Sequence, residues 1–174
     1  ASESGYWLAA SAMVPYKRLD LAVEACSRLG LALKVAGDGP LLAALMRGAG
    51  PSVEFLGRVG DARLRDLYRG CQALIFPGEE DFGIMPVEAQ ACGRPVVAYG
   101  RGGALDTVAD GQTGAFFDEQ SAESLMEALR RFDAKRFAPA ACRANAECFR
   151  LDRFEQAFLA EAERFLAQGP DSME

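Results

Sequence analysis

The chain has 174 residues, half of them hydrophobic, and is therefore long enough to bury one substantial core. No charge-rich or Pro-, Gly- or Ser-rich stretch is long enough to act as a linker, so residues 1–174 are expected to form one domain. The formal net charge of −6 argues against a nucleic-acid partner, because proteins that bind a phosphate backbone concentrate Lys and Arg.

Short apolar runs alternate with helical patterns along the first two thirds of the chain. The runs predict buried strands over 6–11, 31–36, 53–56, 72–76, 95–98 and 114–117. Apolar residues at helical spacing between 19 and 29 predict the first helix, and further helices are expected over 40–47, 61–69 and 86–91. This alternation is typical of an α/β fold with a doubly wound, Rossmann-like parallel sheet covered on both faces.

From Ser121 onward the sequence is helical, and Ser121 itself is expected to cap the first of these helices. A final helix carries an apolar face formed by Leu151, Phe154, Phe158, Ala162 and Phe165. This face needs a partner surface. Packing against the domain's own sheet is the simpler expectation, and packing against a neighbouring domain is the alternative.

In open parallel sheets, ligands bind beyond the carboxyl ends of the strands. The most informative loop after a predicted strand is 77–85, which is acidic and contains Gly83. Pro86 is expected at the first position of the next helix, which would place the amides of Ile84 and Met85 at the helix N-terminus. Free amides and the helix dipole favour phosphate or sugar oxygens there. The sequence Gly37-Asp38-Gly39 lacks the third glycine of a dinucleotide fingerprint and is interpreted as a tight turn.

Two carboxylates and one lysine are candidate ligand-binding residues. Glu80 lies in the acidic loop, and Glu88 lies in an otherwise apolar helix, where a charged carboxylate is costly unless it accepts hydrogen bonds. Paired hydroxyls such as those of a ribose would satisfy Glu88. Lys17 follows the first strand and could neutralise a diphosphate. The alternatives are acids that merely favour the helix dipole and an ordinary surface lysine.

Histidine is absent, which excludes Ser-His-Asp and Cys-His chemistry within this chain. The odd set of five cysteines has no C-x-x-C pair and is expected to consist of reduced thiols in a cytosolic protein. A zinc site or disulfide using Cys142 and Cys148 is the weaker alternative. No apolar run approaches the roughly 18 residues of a spanning helix, and no signal-peptide pattern opens the chain, so we expect a soluble, non-exported domain.

Taken together, these loops resemble the C-terminal, donor-binding domain of the retaining GT-B glycosyltransferases of family 4, over about residues 6–117. The most specific element is an E-x7-E motif at Glu80 and Glu88. The supporting segments are Val14-Pro15-Tyr16-Lys17, Ala36-Gly37-Asp38-Gly39-Pro40, Phe55-Leu56-Gly57 and Ala91-Cys92-Gly93-Arg94-Pro95-Val96-Val97. The segment 102–108 is similar to mannosyltransferase-like members.

The resemblance implies a role for each candidate residue. Glu88 would hold the ribose hydroxyls, and Glu80 with the backbone of Phe82 and Gly83 would hold the donor sugar. The amides of Ile84 and Met85, together with Lys17, would bind the diphosphate. Val59 would touch the base through its backbone. The resemblance implies no metal or other cofactor, and Glu80 is interpreted as a positioning residue and not as a nucleophile.

The implied activity is transfer of a sugar from a nucleoside diphosphate, such as GDP-mannose or a UDP-sugar, to a glycan or lipid-linked acceptor with retention of configuration. The acceptor would bind an N-terminal domain that this chain lacks, so the chain alone is expected to be inactive. The full enzyme is expected in the cytoplasm, in peripheral association with the membrane. A non-catalytic nucleotide-binding module, a sugar-nucleotide epimerase and a sugar phosphorylase are the alternatives.

One residue departs from the family pattern. The family usually carries an arginine five residues before the phosphate-binding lysine, and this chain has Ala12 there. The loss of one cation would weaken donor binding unless another arginine replaces it. Arg18 and Arg101 are the candidate replacements for this cation.

Overall fold

A computed structural model describes residues 5–168, and its centre is a six-stranded parallel sheet with the order β3-β2-β1-β4-β5-β6. The predicted α/β fold class is therefore confirmed. The strands are β1 (Trp7–Ala10), β2 (Leu33–Ala36), β3 (Val53–Gly57), β4 (Ala73–Phe76), β5 (Val96–Tyr99) and β6 (Gly114–Phe117).

Helices cover both faces of the sheet. They are α1 (Leu19–Leu29), α2 (Leu42–Gly48), α3 (Asp61–Gly70), α4 (Ile84–Ala91), α5 (Ala104–Thr107), α6 (Ala122–Arg131), α7 (Pro139–Ala146) and α8 (Leu151–Gln168). Short 3-10 turns occur at Pro15–Lys17, Ala134–Arg136 and Glu147–Phe149.

Alternate residues of each strand enter two separate cores. Trp7 and Ala9 of β1 pack with α1 and α6, whereas Leu8 and Ala10 pack with α3, α4 and α5. Strands β1, β4 and β5 are buried on both faces, because successive side chains point to opposite sides of the sheet and helices cover both sides, whereas edge strand β3 is only half-buried. This two-sided burial explains why the strands read as continuous apolar runs.

Helix α4 begins earlier than the sequence prediction placed it. Its first residue is Ile84 and its N-cap is Gly83, so Pro86 occupies the third helical position instead of the first. Proline is tolerated there because the first amides of a helix have no intrahelical acceptor. The short helix α5, which follows Gly102 and Gly103, was not predicted, because four residues are too few to show a helical period.

The C-terminal helices differ in how firmly they are attached. Ser121 caps α6 by accepting a hydrogen bond from the amide of Ser124, as predicted. Helix α7 packs on α4, and Asn145 donates to the side-chain oxygen of the fully buried Gln90 at 2.6 Å. These contacts connect the C-terminal region to the helix that carries Glu88.

Helix α8 does not pack on the sheet, so the simpler of the two expectations for it is wrong. Among its apolar residues, Leu151, Phe154, Phe158 and Phe165 are each more than 60% exposed. Among residues 5–168, the aromatic rings of Phe154 and Phe158 stack only on one another, with ring centroids 6.0 Å apart. Within the described residues, the apolar face of α8 is uncovered.

All five cysteines are free thiols. Cys26, Cys71 and Cys142 are buried, Cys92 is half-buried and Cys148 is exposed. Burial raises the pKa of the Cys26 and Cys71 thiols to about 12, which makes both thiols unreactive. Over residues 5–168, no helix has the length and apolar character needed to cross a bilayer.

Candidate functional site

The loops that follow β1 to β5 meet at the carboxyl edge of the sheet, where the sequence predicted the ligand site. The first two loops touch backbone to backbone, because Gly37 and Gly39 lie against the backbone of Ser11 and Met13. Both glycines have positive φ angles, 133° and 153°, and a Cβ at Gly37 would lie 1.9 Å from the Ser11 carbonyl oxygen. The close approach of the two loops therefore requires both glycines, which is a different reason from the tight turn that the sequence suggested.

Lys17 and Glu80 form an ion pair across this edge. The Lys17 Nζ atom lies 2.6 Å from Glu80 Oε1, and the two side chains are 16% and 21% exposed. The backbones are also close, since a Cβ at Gly78 would lie 3.0 Å from the Lys17 Cα. The structure thus brings two predicted site residues into direct contact.

The acidic loop is held in place by the glycine loop that precedes α5. The Gly103 amide donates to the Glu80 carbonyl at 2.7 Å. A Cβ at Gly103 would lie 2.4 Å from the Phe82 Cα, and one at Gly102 would lie 2.5 Å from the Glu80 carbonyl oxygen. Only residues without side chains allow the two loops to approach this closely.

Arg18 is linked through hydrogen bonds to the start of the acidic loop and is therefore not free to replace the cation that is missing at position 12. Its guanidinium donates to Asp20 at 3.0 Å and to the side chain of Gln120 at 3.2 Å. Gln120 in turn donates to the carbonyl of Pro77 at 3.1 Å. Arg101, the other candidate, is exposed in the glycine loop.

The N-terminus of α4 opens at this edge. Gly83 adopts a φ of 82°, and no side chain of the described residues caps the helix. Ile84 is 64% exposed and Met85 is half-buried. Phe82 is 45% exposed and packs edge-on against Phe149, with ring centroids 5.7 Å apart. The first amides of α4 therefore have no side-chain acceptor and can bind an anion.

Glu88 lies one turn beyond Met85, on the side of α4 that faces α3. Its side chain is exposed, so the predicted cost of burying this carboxylate does not arise. The hydroxyl of Tyr68, on α3, donates to Glu88 Oε2 at 3.0 Å, and Tyr68 itself is 2% exposed. Both residues line a groove of about 400 Å³, together with Leu64 and Arg65.

A second groove of about 410 Å³ adjoins the first at Leu64. Val59, which the resemblance places near a base, lines it together with Met85 and Ala12. Arg58, the first residue after β3, also lines this groove. Its side chain is exposed, and no carboxylate of residues 5–168 forms an ion pair with it.

The structure therefore brings some of the predicted residues together. Lys17 and Glu80 form an ion pair, and Val59 and Glu88 line two adjoining grooves. Sequence reasoning missed Arg58 and Tyr68. Arg58 could have been found from its position directly after a strand, whereas Tyr68 gives no signal that distinguishes it from a core aromatic. Residues 5–168 contain no group of three or more His, Cys, Asp or Glu arranged to hold a metal ion.

Comparison with known proteins shows the family of this chain. Residues 2–148 match the family described as "Glycosyl transferases group 1". The chain belongs to this family. It is similar to a D-inositol 3-phosphate glycosyltransferase of Gordonia bronchialis, with 34% identity over 134 residues, which is 72% of this chain and 29% of the relative.

Two solved structures each contain a domain with the same fold as this chain. Sucrose-phosphate synthase from Thermosynechococcus elongatus has a TM-score of 0.81 and 22% identity, covering 95% of this chain and 46% of that protein. Anabaena HepE in complex with UDP and glucose has a TM-score of 0.71 and 22% identity, covering 95% of this chain and 49% of HepE. The chain thus spans less than a third of the curated relative and about half of each solved protein.

Proposed function

We propose that this chain is the donor-binding domain of a longer glycosyltransferase and that it binds a nucleoside-diphosphate sugar. The observation that carries the proposal is the Lys17–Glu80 ion pair, whose glutamate lies in the loop that leads into the uncapped α4, with the Glu88 carboxylate farther along this helix. A cation and uncapped amides match a diphosphate, and the Glu80 and Glu88 carboxylates match sugar and ribose hydroxyls.

Each group has a separate role in this proposal. Lys17 and the amides of Ile84 and Met85 bind the diphosphate, and Glu80 with the Phe82-Gly83 backbone orients the donor sugar. Glu88 accepts hydrogen bonds from the ribose, and the backbone of Val59 meets the base in the second groove. HepE, whose crystals contain UDP and glucose, shares the fold and supports this ligand class.

Charge development explains why such a site promotes sugar transfer. When the bond between the anomeric carbon and the diphosphate breaks, negative charge accumulates on the leaving diphosphate. A fixed cation and preorganised amides stabilise that charge more in the transition state than in the ground state. Lys17 is therefore proposed as a catalytic residue, and Glu80 as a residue that positions both Lys17 and the sugar.

The finer assignment completes the proposal. We place the protein with the retaining, mannosyltransferase-like enzymes of family 4, with GDP-mannose or a UDP-sugar as donor and a glycan or lipid-linked acceptor. The acceptor would bind an N-terminal domain, against which the exposed apolar face of α8 would also pack. The full enzyme would act in the cytoplasm, at the membrane surface, without a metal.

Ala12 favours a second candidate function, a binding module of the same ancestry that holds a nucleotide without transferring its sugar. Arg58 answers this objection, because it lines the same groove as Ala12 and has no ion-pair partner in the described structure. We infer that Arg58 supplies the cation that other family members place at position 12. The full-length protein then keeps two cations for the diphosphate, so Ala12 by itself does not imply that sugar transfer has been lost.

Removing Arg58 tests this inference. Arg58→Ala in the full-length protein is expected to weaken nucleoside-diphosphate binding about 10- to 150-fold, the usual worth of a charge-assisted hydrogen bond. Adding Ala12→Arg to Arg58→Ala should restore most of the affinity. Arg63→Ala is the matched control, because Arg63 is exposed on α3 and lines neither groove. If Arg58→Ala binds the nucleoside diphosphate as tightly as wild type does, Arg58 does not replace the cation that is missing at position 12.

The activity itself is tested by incubating the full-length protein with GDP-mannose, UDP-glucose or ADP-glucose in the presence of EDTA. The proposal predicts that one donor is consumed with release of its nucleoside diphosphate, and that the chelator leaves the rate unchanged. Tight nucleotide binding without release from any donor would favour the non-catalytic module.

A further inference from the structure

Glu88 is held by a side chain that belongs to the core of the domain. Tyr68 lies on α3 with only 2% of its surface exposed, and its ring packs in the core between α3, α4 and the sheet. Tyr68 also lines the groove, and its hydroxyl donates to Glu88 Oε2 at 3.0 Å. A rigid, buried anchor therefore contacts an otherwise exposed carboxylate.

The direction of this hydrogen bond is fixed. Burial raises the pKa of the Tyr68 hydroxyl, and the Glu88 carboxylate raises the same pKa further. The hydroxyl consequently keeps its proton at any pH at which the protein works, and it always acts as the donor. An ionised carboxylate has about four acceptor sites on its two oxygens, so one bond from Tyr68 leaves the others available.

We propose that Tyr68 is a positioning residue that sets the ribose specificity of the donor site by fixing the orientation of the Glu88 carboxylate. This inference rests on the proposed function, in which Glu88 accepts hydrogen bonds from the ribose. An exposed glutamate side chain without an anchor samples several rotamers and must lose that freedom when the ligand binds. Tyr68 removes most of this freedom before the nucleotide arrives.

Removal of the Tyr68 hydroxyl should therefore act on ribose recognition and not on sugar transfer. Tyr68→Phe keeps the ring and its packing but leaves Glu88 without its anchor. The Kd of the ribonucleoside diphosphate is expected to rise about 10-fold, the effect of one hydrogen bond to a charged group. The donor KM should rise by a similar factor with kcat nearly unchanged, because the ribose does not take part in the reacting bond.

The chain provides a matched control in a second tyrosine that hydrogen-bonds to α3. The hydroxyl of Tyr6 donates to the carbonyl of Leu67, the residue before Tyr68, at 2.8 Å. Tyr6→Phe removes a tyrosine hydrogen bond to α3 without touching Glu88. If loosening of α3 were the cause of an effect, Tyr6→Phe and Tyr68→Phe would behave alike.

The test measures Kd in the full-length protein for GDP, UDP and ADP, and then for the 2′-deoxy and 3′-deoxy forms of the tightest of the three. Wild type and Tyr6→Phe should prefer the ribonucleotide strongly. Tyr68→Phe should lose about 10-fold of that preference while binding the deoxynucleotides as wild type does. An unchanged preference in Tyr68→Phe, or an equal loss in Tyr6→Phe, would overturn the inference. Failure of wild type to bind any of the three nucleotides would instead overturn the proposed function, and this inference with it.

Discussion

Lys17→Ala in the full-length protein is expected to lower kcat/KM about 100- to 1,000-fold, with most of the loss in kcat. The reason is the contact of the Lys17 ammonium with Glu80, in the loop that leads into α4, where the proposed reaction would develop negative charge. The loss is measured from initial rates of donor consumption. Lys135→Ala is the control, because Lys135 is exposed in a 3-10 turn that lies outside both grooves.

The ion pair adds a second feature to this expectation. Lys17→Ala leaves the Glu80 carboxylate without its partner, and Glu80→Gln leaves Lys17 without its own. If the two side chains act as a unit, the double variant will lose much less activity than the product of the two single losses. Strictly multiplicative losses, or a loss below about 5-fold for Lys17→Ala, would contradict the role given to this pair.

Glu88→Gln is expected to raise the Kd for the nucleoside diphosphate about 10- to 150-fold. The substitution preserves the size of the side chain and removes the charge that strengthens hydrogen bonds from ribose hydroxyls. Calorimetric titration measures the change. Since Glu88 is exposed, the free energy of unfolding should change little, and thermal unfolding checks this separately.

The control for Glu88→Gln is Asp66→Asn, which removes a carboxylate from the exposed side of α3 outside the grooves. Equal affinities in wild type and Glu88→Gln would show that Glu88 serves the helix surface only. That outcome would favour the alternative interpretation, in which Glu88 is an acid that merely favours the helix dipole.

Most of the fold could be predicted from the sequence because the central strands are buried on both faces. Runs such as Trp7–Ala10 and Ala73–Phe76 contain only apolar residues, and the helices between them show a clear period. The start of α4 was misplaced because Pro86 is compatible with several positions in a first turn, and only the backbone of Gly83 decides among them.

The position of α8 could not be predicted for a different reason. Its apolar face, which includes Phe154 and Phe158, indicates that the helix needs a partner but carries no information about which one. The sequence pattern is the same whether the partner is the helix's own sheet or another domain. Only the structure shows that the described residues leave this face uncovered.

The site was predicted residue by residue, but its contacts were not. The sequence assigned Lys17 and Glu80 to loops at the same edge of the sheet, yet their ion pair joins residues 63 positions apart and depends on the packing of two loops. The sequence could not identify Tyr68 as a site residue, because a buried aromatic residue at helical spacing usually packs in the core. The polar tip of such a residue becomes informative only when its partner, Glu88, is seen.

We expect this chain to bind a nucleoside diphosphate through Lys17, Glu80 and Glu88. The decisive measurement is calorimetric titration of the 174-residue chain with GDP, UDP and ADP. One of the three nucleotides should bind saturably with a stoichiometry near one, and Glu88→Gln should abolish or strongly weaken this binding. Absence of binding at millimolar nucleotide, both in this chain and in the full-length protein, would contradict this expectation.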